Sequence, residues 1–219
     1  MGNKFITVHQ FEAITEKILT DCGISLEWTP QFAPIDIDAI IEFHYELSFD
    51  TADLTLRTGE EDVLAAICAE KRVIYLNDRK LDLLNSNDGL MRFTKAHELG
   101  HWVLHIDKLS LEAQTTLLDL PLVNLICRSN QKDPREVQAD MFAAHILMPT
   151  PLITAAFYKL EQRVDRVSWS ELYKLKNKFD VSISALCNRL NDLHLCYIPN
   201  GENNIYRSKE EWAGQLSLF

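Results

Sequence analysis

Residues 92–105 read Arg-Phe-Thr-Lys-Ala-His-Glu-Leu-Gly-His-Trp-Val-Leu-His, and His97-Glu98-Leu99-Gly100-His101 at their centre decides how the rest is read. Phe93, Ala96, Leu99, Val103 and Leu104 recur at helical spacing, so a helix is expected over 90–106. Residues four apart on a helix differ by only about 40° around its axis, which points His97 and His101 from one face toward one ion. Glu98 stands beside them, within reach of a water activated there but outside the ligand set. This is the HExxH pattern of a zinc hydrolase. Zinc takes neutral imidazole and carboxylate ligands, and a catalytic site leaves one position open. Gly100 costs the helix about 1 kcal/mol relative to alanine, and close approach of another backbone is the expected reason for it.

Such a site needs a third protein ligand. The segment Asp133-Pro134-Arg135-Glu136-Val137-Gln138-Ala139-Asp140 opens a second helix, expected over 134–148. Asp133 is placed to cap it and Pro134 fits the first helical position. Glu136 and Asp140 lie one turn apart on a face that Ala143 and Ala144 continue without bulk. Two readings of Glu136 stand: third zinc ligand, or far member of an Asp133-x-x-Glu136 capping box that reaches back to the helix start. Beside an HExxH with no other obvious third ligand, the metal reading is favoured. Asp140 is then placed to take the hydrogen bond of a ligand histidine and fix its tautomer. His105, one turn beyond His101, is expected either to support the ligands or assist an oxyanion, or to be an ordinary half-buried histidine. Tyr75 is a further oxyanion candidate. His145 faces away from Glu136 and is not expected to bind the ion.

The remaining composition is that of a folded domain: 219 residues, 47% hydrophobic and 25% charged. The formal net charge of −10 disfavours a phosphate backbone as the main partner. Cys22, Cys68, Cys127, Cys187 and Cys196 form no CxxC pair, so neither a disulfide framework nor a thiolate zinc site is expected. Scattered free cysteines fit a reducing cytoplasm. The N-terminal MGNKFITVHQ lacks the apolar core of a secretory leader. No apolar run reaches the roughly 18 residues of a membrane span.

Three regions are expected. Residues 1–33 form an N-terminal helical arm, with Phe11, Ile14, Ile18 and Leu19 on the face of a helix packed on the body. Residues 34–150 form the metal-binding domain. There Asp36 or Asp38 caps a helix before Ala39, Ile40, Ile41 and Phe43. Val63 to Ala69 and Arg72 to Leu76 form a β-hairpin, whose strand 72–77 is expected to offer its edge to extended substrate. Asn85 to Gly89 is expected to be a loop, and 107–132 an irregular stretch of the kind that borders active sites. Residues 151–219 are helical. Ser168-Trp169-Ser170-Glu171 reads as a capping box for a helix bearing Leu172 and Leu175. Ser182 caps another bearing Ala185, Leu186, Leu190 and Leu193. The pair has helix-turn-helix spacing. Lys174, Lys176, Lys178 and Arg189 give it mild positive charge, but in so acidic a chain a hairpin packed on the body, or docking substrate, is preferred to direct DNA binding. The tail 214–219 is expected to dock on the body or a neighbour. The fold class is therefore α+β: a small mixed or antiparallel sheet packed on an HExxH helical core, with a helical C-terminal region.

Arg92 to His105, followed by Arg135 to Pro149 (REVQADMFAAHILMP), resembles the ImmA/IrrE family of metallopeptidases. Pro34 to Ile40 (PIDIDAI) and Arg72 to Asp78 (RVIYLND) are similar to that family's order of elements. The likeness runs over about 34–150. It implies a compact zinc endopeptidase of bacteria, mobile elements or phages that relieves repression by cutting a cognate helix-turn-helix repressor. The alternative it carries is a toxin-like or regulatory partner that binds such a repressor without proteolysis. Residue by residue, His97, His101 and Glu136 fall on the zinc ligands and Glu98 on the general base. Asp140 departs from the asparagine that many members carry, and either side chain orients a histidine.

Overall fold

The computed structural model describes residues 6–106, 125–126, 133–199 and 201–216. Helix α1 (Val8–Asp21) starts at a capping box in which Thr7 and Gln10 satisfy each other's backbone N–H groups. It buries Phe11, Thr15, Ile18 and Leu19 and packs against the helix Pro134–Leu147 (α6), the second helix of the metal reading. As expected, the N-terminal helix lies on the body. Asp36 caps the short helix α2 (Ile37–Ala39) by accepting from Ala39 N–H. The chain then widens into a π-turn at Ile40–His44, leaving Phe43 exposed.

The sheet has the strand order β1-β3-β2-β4, with β1 Ser48–Ala52, β2 Ala65–Cys68, β3 Val73–Asn77 and β4 Leu125–Ile126. The expected hairpin is β2–β3, antiparallel with Cys68 opposite Val73. One expectation fails here. Strand β3 offers no edge to substrate, because β1 pairs with it in parallel along its whole length, Ser48 opposite Val73 to Ala52 opposite Asn77. The parallel pairing depends on a crossover (through α3, Leu54–Thr58) that local patterning does not announce. Alternation along the strands splits the sheet's two faces. Ala65, Ile67, Ile74 and Leu76 join the main core, while Ala66 and Tyr75 meet Leu54 and Val63 on the other side.

After α4 (Leu81–Asn85), Asn87 caps the long helix α5 (Asp88–His105) by accepting from Leu90 N–H. The expected loop 85–89 is thus two helix ends with a cap between them. Helix α5 lays Ala96, Leu99 and Trp102 on the core face of the sheet, chiefly against β2. Of the irregular stretch expected at 107–132, only β4 is among the described residues. Helix α6 (Pro134–Leu147) is the closest partner of α5. Met148 and Pro149 end it, and α7 (Thr150–Glu161) restarts at once. Among the described residues no single helix is long and apolar enough to cross a membrane. Helices α6 and α7 together pass that test only across a 58° bend, and their Phe142, Ile146, Ile153 and Phe157 are core residues.

Helices α8 (Trp169–Phe179) and α9 (Ile183–Asp192) join at Asp180, which takes a left-handed conformation. Ser182 caps α9 as expected, accepting from Ala185 N–H. Ser168 does not make the expected capping box, because its hydroxyl turns to the Glu171 carboxylate instead of the backbone. The turn between the helices is seated on α5. Arg92 donates to the carbonyls of Asp180 (3.0 Å) and Ile35 (2.6 Å). A Cβ on Gly89 would meet Ser182 N and Val181 C at 2.7 Å, so only glycine fits. Helix α10 (Lys209–Leu216) holds the first residues of the tail 214–219; the rest of that tail, 217–219, on which the expected docking also depends, lies outside the described residues.

Candidate metal centre

Helices α5 and α6 cross with almost nothing between them. A Cβ on Gly100 would meet Ala139 Cα at 3.1 Å and Ala139 O at 3.2 Å. That is the close backbone approach for which the glycine was expected. The small, fully buried Ala139 makes this contact from the α6 side, with the Phe142 ring edge beside it at 3.1 Å from the same Cβ.

The crossing brings His97, His101 and Glu136 together in the interior. His97 Nε2 and His101 Nε2 stand 3.0 Å apart. Glu136 lies 3.3 Å from His97 Nε2 through Oε2 and 3.4 Å from His101 Nε2 through Oε1. All three residues are buried, and each offers one ligand atom to a common point. A tetrahedral zinc ion with bonds of about 2.0–2.1 Å spaces its ligand atoms about 3.3–3.4 Å apart. Each imidazole nitrogen has its own Glu136 oxygen near that distance, one ligand atom from each residue lies within 4.8 Å of the others, and the donors (two imidazoles and a carboxylate) suit a borderline-soft divalent ion. The residues therefore fit a metal, and this buried group could hold one.

Glu136 does not serve the alternative role. Asp133 caps α6 by accepting from Arg135 N–H at 2.9 Å, while Glu136 turns inward to the histidines. Asp140, one turn on, accepts from His97 Nδ1–H at 2.8 Å. With Nδ1 committed as donor, the Nε2 lone pair of neutral His97 is left for the ion. Glu98 is fully buried beside them, and its charge is felt at His97.

Electrostatics in the metal-free chain follow from this geometry. Burial works against a charge on His97, but hydrogen bonds to Asp140 and Glu136, with the charge of Glu98, outweigh it and lift its pKa to about 10. Burial likewise opposes the Glu136 carboxylate, and hydrogen bonds from His101 and His97 overcome that, bringing it down to about 2. A proton thus occupies the place that a cation would fill.

Residues 45–191 match the IrrE N-terminal-like domain of peptidase M78. The chain belongs to this family. No curated protein is similar enough to this peptidase M78 chain to count as a match. Among solved structures it is similar to a Mycobacterium tuberculosis transcriptional regulator, at 16% identity and a TM-score of 0.48. That similarity covers 89% of this chain and 49% of the regulator, so the peptidase M78 chain spans about half the regulator's length.

Two oxyanion candidates fare poorly. Tyr75 is on the sheet face turned away from α5. The His105 ring lies tilted beside that of His101, ring centres 5.5 Å apart, but its Nε2 faces the Arg135 carbonyl at 3.2 Å.

A second polar cluster escaped the sequence reading. Arg189, counted there among surface charges, is 1% exposed. Its Nε donates to Met148 O (3.2 Å), Nη1 to His145 Nε2 (3.0 Å) and Nη2 to Thr150 Oγ1 (2.8 Å). Thr150 passes the contact to Glu12 on α1 at 2.8 Å. The available signal was helical register: Arg189 lies three residues after Leu186 and four before Leu193, within the apolar stripe of α9. Its burial also takes that cation away from any DNA-facing surface.

Proposed function

We propose that this chain is a zinc-dependent endopeptidase of the cytoplasm that cleaves a cognate helix-turn-helix repressor, with His97, His101 and Glu136 as metal ligands and Glu98 as general base. The observation that carries the reading is the buried gathering of His97, His101 and Glu136, one ligand atom from each within 4.8 Å of the others, with His97 oriented from behind by Asp140. A bound zinc ion supplies Lewis acidity, polarising a peptide carbonyl and acidifying water. Glu98 accepts the proton of the attacking water on its carboxylate and returns it to the leaving amide nitrogen. Asp140 keeps the proton of His97 on Nδ1, so the opposite nitrogen stays a lone-pair donor throughout.

The test uses a helix-turn-helix repressor encoded beside this chain, incubated with and without a chelator. The wild type is expected to yield fragments that chelation abolishes. Glu98→Gln is expected to keep stoichiometric zinc and yield none. Fragments from Glu98→Gln would sink the base assignment. Tight binding of the repressor with no fragments at all would favour a non-proteolytic regulatory partner.

A further inference from the structure

We infer that His105 is a positioning residue for Glu136, acting through the peptide bond that precedes it; the inference rests on the metal site proposed above. His105 ends α5, one turn beyond His101, and reaches across to the first turn of α6. Its Nε2 lies 3.2 Å from the carbonyl oxygen of Arg135. A carbonyl only accepts, so the proton sits on Nε2 and His105 is the donor.

The place of that acceptor matters. The Arg135 carbonyl belongs to the planar unit that also contains the amide nitrogen and Cα of Glu136. Pinning the oxygen fixes the plane from which the Glu136 side chain departs. The other end of the same turn is held by Asp133, whose side chain accepts from Arg135 N–H and whose carbonyl accepts from Glu136 N–H at 3.0 Å. Besides the Glu136 side chain itself, His105 ties the backbone of this turn to the helix that carries the two histidines. Together with His97–Asp140 and Gly100–Ala139, it completes three fastenings between α5 and α6, spaced along the crossing on either side of the ligand trio. The same bond removes His105 from oxyanion duty: its one N–H is committed, and Nδ1 has only a lone pair to offer.

The experiment measures zinc affinity of the full chain by competition with a chromophoric chelator, alongside circular dichroism of the metal-free proteins. His105→Phe keeps the ring and loses the donor. Its zinc affinity is expected to fall roughly ten- to a hundredfold, as for other groups that hold ligands in place. His105→Gln puts an amide N–H near the position of Nε2 and is expected to recover most of the loss. If His105→Phe does not fold, His105→Asn, which is polar but too short, takes its place with the same expected loss. Wild-type affinity in His105→Phe, or an equal loss in His105→Phe and His105→Gln, overturns the inference. A wild-type chain that takes up no zinc overturns the metal site itself and the inference with it, so the two failures are told apart.

Discussion

Helix α6 carries a buried polar cluster at each end, and the two treat histidine in opposite ways. At its start, Glu136 and Asp140 surround His97 with carboxylates, and the metal-free site keeps a proton. At its end, His145 is buried against Arg189, and burial together with that guanidinium pushes its pKa down to about 4. Desolvation opposes the charged form in both places, so the sign of the neighbouring charge decides which histidine is cationic. The first cluster holds a positive charge that an ion can replace. The second is already supplied with one by Arg189, whose own pKa burial lowers to about 10. One end of the helix could hold a metal ion in place of that proton, and the other ties α1, α6, α7 and α9 together.

The largest break in that comparison comes from Arg189→Met. His145, Thr150 and the Met148 carbonyl lose their donor, and Glu12 loses its bridged counter-charge. Removing one partner of a buried charged network costs roughly 3–5 kcal/mol. The urea midpoint should fall accordingly while zinc stoichiometry is retained; an unchanged midpoint refutes the structural role of the cluster.

Acid should separate the two ends next. Above pH 6.5 His145 is neutral both folded and unfolded, and its contribution is complete. As the pH falls from 6.5 toward 4, the unfolded chain takes up a proton that the folded chain refuses. Stability then drops by about 1.4 kcal/mol per pH unit, roughly 3 kcal/mol in all. His97 has the opposite sign: its raised pKa stabilises the metal-free fold below 6.5, and that contribution is lost as pH rises through about 10. Denaturation of the metal-free chain at stepped pH should therefore show an acid-sensitive slope that His145→Gln flattens. If His145→Gln leaves the slope unchanged, the assignment to His145 is wrong.

The smallest effect expected is at Asp140. Asp140→Ala removes the acceptor of His97 Nδ1–H without touching the ligand atoms, and should weaken zinc roughly ten- to a hundredfold. Asp140→Asn keeps an acceptor and should lie near the wild type in the same chelator titration. Equal affinities for all three proteins would remove the orienting role.

The same contrast explains what could be read from the sequence. The start of α6 was legible because its partners repeat on helical registers: four residues separate His97 from His101, and four separate Glu136 from Asp140. Gly100 was legible as a small residue where bulk was otherwise expected, but its partner is Ala139, whereas the small face of the second helix was expected at Ala143 and Ala144. The end of α6 was not, since Glu12, His145, Thr150 and Arg189 come from four elements whose mutual placement no local pattern records. Sheet order failed for a similar reason. Alternation found the β2–β3 hairpin but had nothing to say about β1 arriving alongside β3 from a distant crossover.

At Gly100 the two helices meet main chain to main chain. A contact of that kind has no rotamers with which to adjust. Spreading the three ligand atoms would require bending a helix, whereas in a crossing padded by long side chains it would require only a torsional flip. The spacing of the trio is thus held by the stiffest parts of the molecule, and even one methyl group at that point would work as a wedge.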